Sequence, residues 1–386
     1  MSTLSPLNNP PLAEGEPPEK THVRIGFVPL TDCAPLVAAR ALGLGERFGL
    51  EIELVRQPSW AAIRDKLLSG ELDAAHALYG LVYGVQLGIG GPQADMAVLM
   101  TLNQNGQAIT LSRPLAEAVA NGTPLREALA TLEHRPVFAQ TFPTGTHAMW
   151  LYYWLASQGV HPTRDVRCVV IPPPQMSAAL AQGLLDGFCA GEPWNAVAEA
   201  EEVGRTVVVS SEIWPDHPEK VLACRRDFAA LYPATARRLT MVMLEACRWL
   251  DAAENRQRAA AWLATPDFIG RPARIISPRM LHAYGDEGDR GARPLRFFDG
   301  GKVNFPYLSD GAWFVSQYLR WGLIDSSQAA DDVAASVNQI ALYRQAAEAL
   351  GIDVPAHTNR ESILIDGRRW QGTRVQAFAE ESALKA

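Results

Sequence analysis

Reactive side chains are plentiful in this chain, but few stand at a spacing that chemistry requires. The cysteines Cys33, Cys168, Cys189, Cys224 and Cys247 are odd in number and scattered, with no Cys-x-x-Cys pair. That pattern argues against a zinc ribbon and fits reduced thiols serving as small buried hydrophobes. Gly300-Gly301-Lys302 runs into Val303 and lacks the upstream glycine of a phosphate-binding loop. No His-Glu-x-x-His, no Gly-x-Ser-x-Gly and no Gly-x-Gly-x-x-Gly after a strand is present. Asp and Glu abound, yet sequence alone places no pair of them in one site. One short stretch does suit a ligand. The turn Thr141-Phe142-Pro143-Thr144-Gly145-Thr146 precedes a predicted helix that begins near His147. Free backbone N–H groups around Gly145 and Thr146, with the helix dipole, favour a small anion there. The chemistry legible at this level is recognition, and no catalytic residue, cofactor or metal is expected.

The elements that would position such a site repeat. Residues 23–28 read as a strand, followed by a helix ending near Gly43 or Gly45, a strand over 50–55, and an amphipathic helix over 63–68 that stops at Gly70. A short apolar strand over 72–77 completes a βαβαβ unit with a parallel sheet. The same order recurs as a strand over 136–140, a helix over 147–157 stopped by Gly159, a strand over 166–171, a helix over 176–182 stopped by Gly183, and a strand over 185–190. Gly70-x-x-Asp73-Ala74 reappears as Gly183-x-x-Asp186-Gly187, which marks two similarly built lobes.

Extended stretches at 107–112 and 206–210 are the expected crossovers between lobes. Residues 225–325 are mostly helical, clearest over 234–253 and 309–321, with a glycine- and charge-rich loop over 285–293. The expected organisation is a disordered leader over 1–22, lobe one over 23–110 plus 211–330, lobe two over 111–210, and a C-terminal helical extension and polar tail over 331–386. The fold class is α/β, two lobes around a cleft, which is where ligands settle by default.

The 386-residue length, 48% hydrophobic and 20% charged composition and 10 tryptophans supply sizeable cores. The net charge of -7, without a long basic run, argues against direct nucleic-acid binding, although a site inside an acidic protein is able to be locally cationic. No apolar stretch reaches the roughly 18 residues of a membrane span. The N-terminal residues show no signal-peptide pattern, so a cytoplasmic location is expected.

Several stretches together carry a family resemblance: Pro58-Ser59-Trp60-Ala61-Ala62-Ile63-Arg64-Asp65, Leu102-Asn103-Gln104-Asn105-Gly106-Gln107-Ala108-Ile109, residues 141–147, Gly191-Glu192-Pro193-Trp194-Asn195, and residues 212–220. In these the chain resembles the nitrate and bicarbonate binding proteins of bacterial ABC transporters, relatives of the sulfonate and thiamine-precursor binding proteins. The resemblance implies a periplasmic-binding-protein-like fold of type II, with two α/β lobes joined by two crossover strands. It also implies nitrate contacts from Trp60, Gln107, His147 and Lys220, with Thr144 and Gly145 as weaker candidates. Without a signal peptide, the chain is similar to the cytosolic NasS-type nitrate and nitrite sensors. In that branch the ligand-free protein holds an ANTAR-type RNA-binding antiterminator, and nitrate releases it. The alternative is the substrate-binding component of a nitrate transporter. Thiamine-pyrimidine synthases share the fold, but their Cys-rich iron motif is missing here.

Those residue types suit nitrate, which is planar, monovalent and without a proton to donate. Trp60 offers an indole N–H, Gln107 an amide, His147 one ring N–H, and Lys220 a positive charge with three donors. The expected site is therefore a donor set with no obligatory acceptor. Bicarbonate needs an acceptor, and its binding relatives carry an acidic residue at the position of Lys220, so Lys220 favours nitrate or nitrite. Glu192-Pro193-Trp194 reads as a structural corner, since an unpaired Glu192 would repel an anion.

Overall fold

The computed structural model describes residues 16–282, 293–325 and 330–381. Ten strands form two five-stranded sheets of the same design. In the first, β1 (His22–Phe27), β2 (Glu51–Arg56), β3 (Ala74–Leu78), β4 (Met96–Thr101) and β10 (Lys220–Arg225) lie in the order β2-β1-β3-β10-β4. In the second, β5 (Gln107–Ser112), β6 (Val137–Gln140), β7 (Arg167–Val170), β8 (Gly187–Gly191) and β9 (Gly204–Val209) lie in the order β7-β6-β8-β5-β9. Each sheet has three parallel strands and then an antiparallel fourth, β10 or β5, between its last two neighbours. Helices cover the sheets, as βαβ crossovers require.

The internal repeat has a physical basis. Asp73 donates its N–H to Arg24 O at 3.0 Å and takes the Arg24 N–H on its carboxylate at 2.9 Å. Asp186 does the same to Val137, at 2.8 and 2.7 Å. Each helix ends on a glycine of positive φ, Gly70 at 77° and Gly183 at 67°, and the aspartate three residues later ties the next strand to the first strand of its lobe. Repetition of Gly-x-x-Asp is repetition of this latch.

The stretches expected as crossovers lie within the second sheet, where β5 pairs with β8 and β9. The expected lobe boundary at 110 thus falls inside β5, and the chain passes between sheets in residues 102–106 and again in residues 210–219. The helical span contains Pro233–Trp249 and Leu308–Arg320 among others. The loop expected over 285–293 lies outside the described residues except for Arg293. In the leader, residues 1–15 also lie outside them, but residues 16–20, though largely exposed, are tied to the first lobe by hydrogen bonds. Glu19 accepts from the N–H groups of Ala234 and Thr235 at 3.0 and 2.9 Å, capping a helix start. Lys20 reaches Asp73 at 2.5 Å.

The tail is more ordered than its polarity suggests. Arg360 grips Asp310 at 2.8 and 2.9 Å, buried Trp370 donates to Ser309 O at 2.8 Å, and Asp366 accepts from Tyr153 Oη at 2.9 Å. Because Asp310 lies on the first lobe's helix Leu308–Arg320 and Tyr153 on the second lobe's helix Thr146–Ser157, the tail straps both. No described helix is long and apolar enough to cross a membrane.

The lobes close directly on each other. Trp150 of the second lobe packs, tilted, with its ring centroid 4.8 Å from that of Trp313 of the first, an aromatic contact that adds to simple area burial. Tyr318 Oη lies 2.6 and 2.8 Å from the carbonyl oxygens of Gly80 and Thr144. A Cβ on Gly80 would stand 2.3 Å from Thr144 O, a backbone atom unable to swing aside. Gly80→Ala is therefore expected to cost about 1–3 kcal/mol through overpacking and to open the cleft. Denaturant unfolding reads the first effect and a larger radius of gyration in small-angle scattering the second; an unchanged radius would mean that this contact does not hold the lobes shut.

Candidate functional site

The first residues of β5 and β10 are Gln107 and Lys220. An antiparallel fourth strand starts where its parallel neighbours finish, and ligands of open α/β sheets bind at those carboxyl ends. Equivalent positions in the two sheets thus aim one amide and one ammonium at the interlobe space. Trp60 opens the helix Trp60–Ser69, whose N-cap Ser59 accepts from Ala62 N at 3.2 Å. His147 is the second residue of the helix Thr146–Ser157. All four side chains are fully buried and meet in one cluster.

Its hydrogen bonds run in series. The Thr141 hydroxyl lies 2.6 Å from His147 Nδ1, and His147 Nε2 lies 2.7 Å from Gln107 Oε1. An amide oxygen only accepts, so Nε2 carries the proton and Nδ1 accepts from Thr141. Gln107 Nε2 donates to Asp32 Oδ2 at 3.0 Å. Lys220 Nζ donates to the same oxygen at 2.7 Å and to Glu219 Oε1 at 2.7 Å. His76 Nε2 lies 2.8 Å from Asp32 Oδ1, and the Trp60 ring lies 5.5 Å from both Lys220 Nζ and the His76 ring. Glu219 also accepts from Thr146 Oγ1 at 2.7 Å and from Trp150 Nε1 at 2.9 Å.

The expected donor-only site is corrected by this geometry, because Asp32 and Glu219 stand inside it. A lone ammonium with no exposure would be costly, and two carboxylates offset that cost. Asp32 sits in the turn Thr31–Cys33, which three residues separate from the end of β1, where α/β proteins place ligand residues, and that position was its available signal. Glu219 adjoins Lys220 in sequence. His76 at the middle of β3 is the third residue of this kind. In this arrangement the one proton of His147 is spent on orienting Gln107.

Electrostatics follow burial and the Lys220 charge. Burial pushes Asp32 up, but Lys220 and the His76 hydrogen bond outweigh it and hold the carboxyl well below the usual range. Burial wins at Glu219 and raises it despite Lys220. Burial also lowers His76 and His147, and pushes His217 down to about 3. The Lys220 ammonium is opposed by burial yet strengthened by Asp32 and Glu219.

Thr144 and Gly145 lie at the lobe contact. A Cβ on Gly84 would meet the Thr144 side chain, and one on Gly145 would come within 2.6 Å of Leu78. Glu192 is paired, with Arg279 Nε 3.4 Å away, and burial raises its carboxyl to about 7. Its corner also joins the lobes, through Thr31 N to Glu192 O at 2.7 Å and Trp194 Nε1 to Pro29 O at 3.1 Å. Among the described residues, the buried Trp60 Nε1, His76 Nδ1 and Thr144 Oγ1 have no hydrogen-bond partner.

Two similar lobes with a polar, fully enclosed cluster between them define a solute-binding protein of the periplasmic-binding-protein type. Residues 16–264 match the model of the NMT1-like family. The chain is 33% identical to the nitrate/nitrite binding protein NrtA of Synechocystis sp., over 97% of this chain and 88% of the relative. It is 38% identical to the nitrate import ATP-binding protein NrtC of the same organism, of which it spans only 51%. The crystal structure of the periplasmic nitrate-binding protein NrtA from Synechocystis PCC 6803 superposes with a TM-score of 0.90 at 32% identity, covering 96% of this chain and 100% of that one. The chain belongs to the NMT1-like family, among the substrate-binding proteins of nitrate and bicarbonate ABC transporters.

Lys220→Ala would leave Asp32 and Glu219 buried without their counter-charge, at an expected cost of about 3–5 kcal/mol. Adding Asp32→Asn should recover part of that loss, since the two residues act as a unit. Denaturant unfolding of both variants checks this, and strict additivity would mean that the pair is not coupled.

Proposed function

We propose that this protein binds nitrate or nitrite in the interlobe cleft through Trp60, Gln107 and Lys220, with His147 holding the Gln107 amide in place. The observation that carries this reading is the orphaned Trp60 indole N–H, buried beside the Lys220 ammonium. An unpaired donor of this kind costs free energy comparable to a lost hydrogen bond, and a small acceptor-only anion would relieve it. Lys220 has a third N–H and Gln107 a second amide hydrogen beyond the bonds to Asp32 and Glu219. Three donors on different elements match the three oxygens of nitrate. The nitrate/nitrite binding relatives support the same ligand. Titration with nitrate, nitrite, bicarbonate and sulfate, followed by tryptophan fluorescence, tests it. Nitrate at about 100 times its Kd should stabilise the fold by about 2.7 kcal/mol, and Trp60→Phe should weaken binding while Trp214→Phe should not. Absence of any melting shift with nitrate or nitrite would sink the proposal.

We further infer a cytoplasmic sensor that controls an ANTAR-type antiterminator. The five cysteines are all free thiols, which fits a reducing compartment. Ligand contacts from both lobes would favour the closed form, so a partner that recognises the open form is released by nitrate. Co-purification and size-exclusion at several nitrate concentrations test this, with dissociation expected as nitrate rises; a complex indifferent to nitrate would defeat it. The second reading, a substrate-binding component of a nitrate transporter, is favoured by the names of the relatives and requires an exported pool on fractionation of native cells.

A further inference from the structure

We propose that binding an anion in this cleft takes up one proton, and that Glu219 carries it. The proposal rests on the anion-binding reading above and concerns the charge balance of the same cluster.

Lys220 donates to Asp32 and Glu219, each at 2.7 Å, and none of the three side chains is exposed. The ammonium is thus already answered. With both carboxylates ionised these groups sum to a single negative charge, and a bound monovalent anion would double it where no water reaches. The neighbouring imidazoles do not supply the missing charge. His147 donates through Nε2 to Gln107 and accepts through Nδ1 from Thr141. His217 Nδ1 donates to Pro218 O at 3.0 Å, so its Nε2 accepts from the Ser210 hydroxyl at 2.7 Å. His76 spends its Nε2 proton on Asp32. Each ring is neutral in this pattern, as its burial favours.

Geometry selects Glu219 over Asp32. The partners of Asp32 are an ammonium, an amide NH₂ and the Nε2 of His76. The first two only donate. The third would accept only by shifting its proton to Nδ1, which has no partner. A proton on Asp32 would therefore face donors. Glu219 Oε1 instead lies 2.7 Å from the Thr146 hydroxyl, a group that donates or accepts by rotation. Protonated Glu219 donates to Thr146 Oγ1 once that hydroxyl turns its own hydrogen aside. The charged or titratable groups facing Glu219 are Lys220, Asp32, His147 at 3.4 Å, His217 at 3.7 Å and, through space, Cys189. Burial already moves Glu219 toward its neutral form, and an arriving anion moves it further. Once neutral, Glu219 leaves the Lys220 charge to Asp32 and the anion.

Calorimetric titration of the full chain with nitrate, from about pH 6 to about pH 8, tests the linkage. Nitrate holds no proton in this range, so any slope belongs to the protein. Affinity should fall as pH rises, approaching about tenfold per unit where free Glu219 is ionised. Heats in phosphate and Tris should differ by the uptake of about one proton. Glu219→Gln should flatten the slope, and Thr146→Val should weaken it by removing the acceptor for that proton. Wild-type affinity that is flat, with equal heats in both buffers, overturns the proposal while leaving nitrate binding intact. So does a slope that survives Glu219→Gln. Absence of nitrate binding at every pH overturns the ligand reading itself.

Discussion

A fully buried ammonium is the constraint on which the rest of the molecule depends. Lys220 has no exposed surface, and its charge is held by Asp32 from the turn after β1 and by Glu219 beside it. Neither carboxylate stands alone. Asp32 needs His76 and Gln107, while Glu219 needs Thr146 and Trp150. Satisfying one cation therefore recruits residues from both sheets. The cluster is at once the polar seam of the lobe interface and the place where Trp60, Gln107, His147 and Lys220 meet. Partly satisfied buried networks are costly, and the buried Trp60 Nε1 and His76 Nδ1 stand here without a partner.

Closure has its own apolar and backbone supports around that seam. Trp150, Trp214 and Trp313 pack edge-on or tilted between the lobes, with centroids 4.8 to 5.7 Å apart. Glycines at 80 and 84 let a first-lobe helix approach Thr144. The C-terminal strap adds hydrogen bonds to both lobes through Asp310 and Tyr153. Hydrophobic contact is undirected, whereas the hydrogen bonds admit one register. Together they define a single closed arrangement of the two lobes.

Much of this was legible from residue order. The turn glycines and alternating elements located both βαβαβ units within a few residues, because each helix stop and each strand depends on local backbone preference. The expected helix over 176–182 was three residues short at its start, since Pro173 begins the helix Pro173–Ala181, and proline suits a first helical position. The helical extension expected from residue 331 divides into Ala330–Val337 and Ile340–Ala349, separated where Asn338 turns inward to Tyr79 and Tyr83. Those two bonds are made across 259 and 255 residues, and no local pattern encodes them.

The sequence by itself determined the α/β class, the duplicated lobes and, through motifs matching a known family, the four side chains that meet in the cleft. Periodicity and turn chemistry are short-range, and a motif carries its residues with it. Tertiary structure decided what those side chains do to one another. Only the packed lobes bring Asp32, 188 positions from Lys220, within hydrogen-bond reach, commit the His147 proton to Gln107 and leave Trp60 Nε1 without a partner. Burial and charge are properties of that assembled space. An aspartate in a turn reads as solvated until neighbours from the rest of the chain take its water away.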